Sequence, residues 1–176
     1  MASNSLEKGA TQQSIKAYMN IQHTRRITPT GMLPENGVTA GAGNCYMYDG
    51  SITYGTTGKT GYYKVVFDLP PDFVDGTDII LRVWWRAAAA SEVVEYSNIL
   101  YLGADGANYV AKDTEAATWT APAVAWSLNR ETLTFDGTDL IKNNLAVFLL
   151  SMEDDNNTAV SMIESVSLDI QVNGRD

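Results

Sequence analysis

The stretch from Tyr62 to Arg86, YYKVVFDLPPDFVDGTDIILRVWWR, constrains the fold more than any other part of the chain. On both sides of a turn rich in Pro, Asp and Gly, β-branched and aromatic residues make up two apolar runs, the pattern of two strands joined at a corner. The second run ends in a doubled tryptophan, Trp84-Trp85. Neighbouring residues of a strand point to opposite faces, so one indole faces a core and the other faces outward. This is the beginning of an antiparallel β-sandwich.

Beyond the strands at Tyr62–Leu69 and Asp78–Arg86, candidate strands are Ser91–Leu102, Thr118–Trp126, Glu131–Phe135, Leu145–Met152 and Ala159–Val172. Turn-forming stretches such as GADGAN, LNR, FDGTD and EDDNNT separate them. Seven strands at this spacing indicate a sandwich or barrel. Helix signal is confined to one turn at Thr138–Asn143, which Thr138 or Asp136 caps and whose Leu140 and Ile141 pack inward. In the last strand, Val160, Met162, Val166, Leu168, Ile170 and Val172 share one parity; Glu164 breaks it and marks a bulge or a rim position.

Phe73-Val-Asp-Gly-Thr-Asp78 and Phe135-Asp-Gly-Thr-Asp139 echo one another, each leading into an apolar run. Two such corners suit a jelly roll built from related halves. Turn chemistry accounts for their aspartates, because neither copy has the D-x-D-x-D-G loop and closing Glu of a calcium site.

At 176 residues, 45% hydrophobic and 19% charged, the chain fits one domain with a sizeable core. Its single cysteine, Cys45, has no partner for an internal disulfide. No run of 18 apolar residues occurs, and the first residues lack a signal-peptide pattern, so synthesis in a cytoplasm is expected. A formal charge of −9 argues against nonspecific binding to nucleic acid or to an anionic membrane. That charge is unevenly spread: residues 1–60 sum to +2 and residues 61–176 to −11. Residues 23–60 are rich in Gly, Thr, Pro and Asn. The expected organisation is therefore an extended N-terminal arm over residues 1–60, with a short strand near residues 15–22, followed by a sandwich over 61–176. Such an arm packs on its own body or bridges to an acidic partner.

Catalytic signatures are missing. His23 is the only histidine and lies in the arm, and no nucleophile elbow appears. Glu92 and Glu95 are three residues apart in a strand, hence on opposite faces, and cannot form a glycosidase pair. The glycines at 41–43 and 55–58 lack the lysine and helix of a phosphate loop. The sequence points to no enzyme, no cofactor and no metal. The remaining candidates are Trp84 and Trp85, of which the outward one either anchors a protein interface or stacks on a sugar. Without several aromatics along one strand face, the interface is favoured.

The run FDLPPDFVDGTDIILRVWWRA at residues 67–87 resembles the recurring element of jelly-roll structural proteins of tailed bacterial viruses. The later segments, Thr132–Phe135, Leu145–Met152 and a closing strand ending SLDIQV, are similar to the second half of those proteins, so the resemblance covers about residues 61–172. It implies a virion component, made in the host cytoplasm and commonly trimeric, that decorates or stabilises a capsid or forms a head or tail appendage. The arm would dock onto the major capsid protein or another virion protein. The alternative from another class is a carbohydrate-binding module recognising host or matrix glycans.

Overall fold

A computed structural model describes residues 22–34, 45–48, 51–54, 63–91, 93–103, 108, 110–154 and 161–174. Among the described residues, eleven strands run in chain order as β1 (Gln22–Ile27), β2 (Gly31–Pro34), β3 (Cys45–Tyr48), β4 (Ser51–Tyr54), β5 (Tyr63–Asp68), β6 (Ile79–Ala87), β7 (Val93–Gly103), β8 (Val110–Thr120), β9 (Asn129–Phe135), β10 (Leu145–Asp154) and β11 (Ser161–Asn173). One sheet has the order β3-β4-β11-β6-β9, with β1 also paired to β11; the other has the order β2-β5-β10-β7-β8. Every pairing is antiparallel. Strands β1, β11, β6 and β9 facing β5, β10, β7 and β8 form the jelly-roll order, so the expected all-β sandwich is what the chain builds.

Alternation along β6 makes the inner face. Ile79, Leu81, Val83, Trp85 and Ala87 are buried while the residues between them are half-buried. Facing them from the other sheet are Val65, Phe67, Tyr96, Leu100, Phe148 and Leu150. Phe148 meets Phe67 and Phe135 edge to face, with ring centroids 5.7 and 5.1 Å apart. At the other end of the core, Trp119 stacks between Tyr96 at 4.3 Å and Trp85 at 5.7 Å. Such pairs contribute about 0.5–1.5 kcal/mol each beyond the area they bury. The buried Asn98 donates from Nδ2 to the Tyr96 hydroxyl at 2.7 Å. Burial pushes the Tyr96 phenol well up, and the Asn98 bond draws it only part of the way back.

The two echoed corners are docked on each other. Gly76 donates its backbone N–H to the Leu140 carbonyl at 2.9 Å, and the backbone N–H groups of Gly137 and Lys142 donate to Asp78 Oδ1 at 3.2 Å and to Asp75 Oδ1 at 2.7 Å. Asp136 Oδ1 accepts from both the backbone N–H and the hydroxyl of Thr138. These bonds hold the Asp136 carboxyl below its ordinary value. The aspartates therefore satisfy turn backbone, and no group of carboxylates fit for a metal occurs among the described residues.

Several expectations need correction. Residues 138–143 form two successive turns, closed by Leu140 N to Gly137 O and Asn144 N to Ile141 O, in place of a helical turn. Only Leu140 packs inward; Ile141 is exposed. The strand expected at Thr118–Trp126 is β8, which runs from Val110 to Thr120, and residues 121–128 turn back toward β9. Within the expected arm, β1 pairs with β11 and β2 with β5, so both belong to the sandwich. Arg25 forms a two-bond pair with Asp72 at 2.6 and 2.9 Å, and Arg26 bonds Asp169 at 2.8 Å. These basic groups are thus spent within their own chain. Residues 15–21, part of the short strand expected near 15–22, lie outside the described residues, as does Glu92. The break at Glu164 is a bulge: the β11–β6 register shifts between Ile163 and Ser165.

Candidate functional site

The register of β9, β6, β11 and β1 assembles a row of polar and aromatic groups on the outer face of the first sheet. Trp84 on β6 lies between Arg130 of β9 and Ser165 of β11. The next row brings Thr132, Arg82 and Ser167 together, and the one beyond it Thr134, Ile80, Asp169 and Arg26. Because outward residues recur every second position, Trp84 has Arg82 and Arg86 as its neighbours along the strand.

Of the paired candidates, Trp84 is the outward residue and Trp85 the inward one. Trp85 is 0% exposed and stacks on Trp119, so it is excluded from contact with any external ligand or partner. Arg130 lies over the Trp84 ring, 5.6 Å from its centroid. A second outward tryptophan completes the face. Trp126 lies within the β8–β9 turn in a left-handed conformation (φ 63°), donates its backbone N–H to the Ala87 carbonyl at the end of β6, and is 47% exposed. Arg86 lies over its ring at 5.2 Å and is ion-paired to Glu164 at the bulge. Two indoles, each with a guanidinium against it, thus occupy one sheet face.

Asp169 organises the far end of this face. Its side chain is 4% exposed and binds Arg26 Nε at 2.8 Å and Arg82 Nε at 2.6 Å. Burial pushes this carboxyl up, but the hydrogen bonds and charges of the two arginines outweigh it and hold it below its ordinary value. The carboxylate therefore stays ionised and keeps both guanidiniums in place. On β9, Glu131 faces the sandwich interior; burial pushes its carboxyl up and the Trp85 indole beside it acts in the opposite sense. A small cavity of about 30 Å³ beside the docked corners, lined by Lys112, Asp136, Thr138, Asp139 and Leu140, holds water-sized guests at most.

Trp126 and the four arginines were not singled out from the sequence. Trp126 sits in a turn mistaken for strand, and the placing of Arg26 and Arg130 depends on register between strands far apart in the chain.

No protein-family model and no curated protein matches the sequence. Among solved structures, the chain is similar to the carbohydrate-binding module CBM4 at 9% identity (TM-score 0.44, covering 72% of this chain and 75% of that one). It is also similar to the xylan-binding module CBM15 at 13% identity (TM-score 0.43, 86% and 97%). A third similar structure is the CBM22-1 xylan-binding domain from Paenibacillus barcinonensis, at 10% identity (TM-score 0.42, 88% and 95%). The expected role as a capsid-decorating or capsid-stabilising virion subunit is corrected by these comparisons, which fall mostly among carbohydrate-binding modules. The capsid partner and the trimer expected with it gain no support from them.

Proposed function

We propose that the chain is a non-catalytic carbohydrate-binding module whose site is the outer face of the β9-β6-β11 sheet. The observation that carries this reading is the pair of outward indoles, Trp84 and Trp126, set among guanidiniums and carboxylates on one face. A pyranose presents an apolar C–H face and a rim of hydroxyls. An indole takes the first, and forked donors with carboxylate acceptors take the second. The groups are also held before any ligand arrives, since Asp169 fixes Arg26 and Arg82 while Glu164 fixes Arg86. That reduces the ordering cost of binding.

A glycan array probed with the wild-type protein, Trp84→Ala and Trp126→Ala tests this. The wild type should bind a restricted set of saccharides, and each variant should lose at least tenfold in affinity while melting as the wild type does. Wild-type binding that survives both substitutions undiminished would refute this site.

A further inference from the structure

The same face is charged against the trend of the molecule. The chain as a whole carries −9, yet four of its six arginines, Arg26, Arg82, Arg86 and Arg130, project from this one sheet face. Two carboxylates, Asp169 and Glu164, lie among them. The described part of the face is therefore +2 on a protein whose remainder is −11. With a Debye length of about 8 Å at physiological ionic strength, a ligand on the face senses these arginines far more than the distant acidic surface.

The geometry concentrates the positive charge around one indole. Trp84 has Arg82 and Arg86 two residues away on its own strand and Arg130 directly across from it. Arg82 shares Asp169 with Arg26, so that carboxylate offsets only one of two guanidiniums. Arg86 is matched by Glu164. Arg130 is exposed, lies over the Trp84 ring, and is paired with no carboxylate among the described residues. Arg130 lies over the Trp84 ring, and Arg82 and Arg86 flank Trp84 along its strand, so an acid group on a sugar held at this indole comes within reach of guanidiniums, whose planar forks match a carboxylate with two parallel hydrogen bonds.

Resting on the carbohydrate-binding reading, we infer that the ligand is an anionic polysaccharide carrying uronate groups, and that Arg130 receives the carboxylate. A neutral glycan would leave Arg130 without an anionic partner and the surplus charge of the face unused.

Affinity electrophoresis through gels containing polygalacturonate or glucuronoxylan, each beside its carboxyl-reduced counterpart, tests this with the full chain. The acidic polymer of at least one pair should retard the protein ten- to a hundredfold more strongly than its neutral counterpart, as hydrogen bonds to charged groups do. Retardation should weaken as NaCl is raised, and Arg130→Gln should abolish the preference while a thermal melt shows the fold intact. Equal retardation by acidic and neutral polymers overturns the inference and leaves the carbohydrate-binding reading standing. An acidic preference that Arg130→Gln does not diminish overturns the assignment of Arg130. No retardation by any of the four polymers, together with an array on which the wild type binds nothing, overturns both.

Discussion

Replacing Gly137 by Ala probes the joint between the two echoed corners. A Cβ at this position falls 1.7 Å from the Thr77 carbonyl oxygen, 2.3 Å from its carbon and 2.9 Å from the Asp78 nitrogen. All three obstacles are backbone, so no side-chain rotation relieves the clash and the corners must part by more than an ångström. Overpacking of this kind costs about 1–3 kcal/mol. Parting the corners also strains the bonds that cross them, Gly137 N to Asp78 Oδ1 at 3.2 Å and Gly76 N to Leu140 O at 2.9 Å. Losing one of these adds about 1 kcal/mol. The expected destabilisation is about 2–4 kcal/mol, which for a chain of this length lowers the melting temperature by about 5–15 °C. Gly76→Ala is the internal comparison. There φ is 75° and the nearest atom, the Thr138 carbonyl oxygen, is at an ordinary 3.5 Å, so the penalty is the backbone preference alone, about 1 kcal/mol. Thermal and urea unfolding followed by circular dichroism measure both. A Gly137→Ala protein that melts within a degree of wild type, or above Gly76→Ala, refutes the docking of the corners.

Three more outcomes follow from the core and the site. Trp85→Ala empties a fully buried position and should cost about 3–5 kcal/mol in urea unfolding, whereas Trp84→Ala, on the outer face, should cost under about 1 kcal/mol. Tyr96→Phe and Asn98→Leu each strand a buried polar partner and should each destabilise by about 1–3 kcal/mol, while the double variant recovers part of the summed loss in the same assay. Asp169 has a lowered pKa in the folded state, so its ionised form contributes stability above the ordinary aspartate pKa of about 3.9, and that contribution is lost as pH falls toward and through the lower folded value. The melting-temperature gap between wild type and Asp169→Asn should accordingly be full at pH 6 and close progressively below about pH 4.

Much of the architecture was legible because it is written in local alternation. The parity of IILRVWWRA separates Trp84 from Trp85, and the single break at Glu164 marks a bulge in β11. Strand β8 begins well before the strand expected at Thr118–Trp126, because it is an edge strand on which alanines, charges and threonines are mostly exposed and so shows little apolar periodicity. The helical turn expected at Thr138 is opened by the demands of the neighbouring corner, which claims the Leu140 carbonyl and the Lys142 N–H. The site was legible only in its first member. Pairing Arg130 with Trp84, and Arg26 with Asp169 across 143 positions of chain, depends on long-range register that no local pattern encodes.

The chain has four tryptophans, hence four indole N–H resonances in a nitrogen-15 correlation spectrum. Titrating a saccharide that binds on the array into the labelled protein, with signals assigned by single substitutions, locates the ligand directly. The Trp84 and Trp126 indoles should shift with saturation while those of Trp85 and Trp119, stacked in the core, stay in place. Saturable binding that leaves Trp84 and Trp126 unmoved would contradict the assignment of this sheet face as the site.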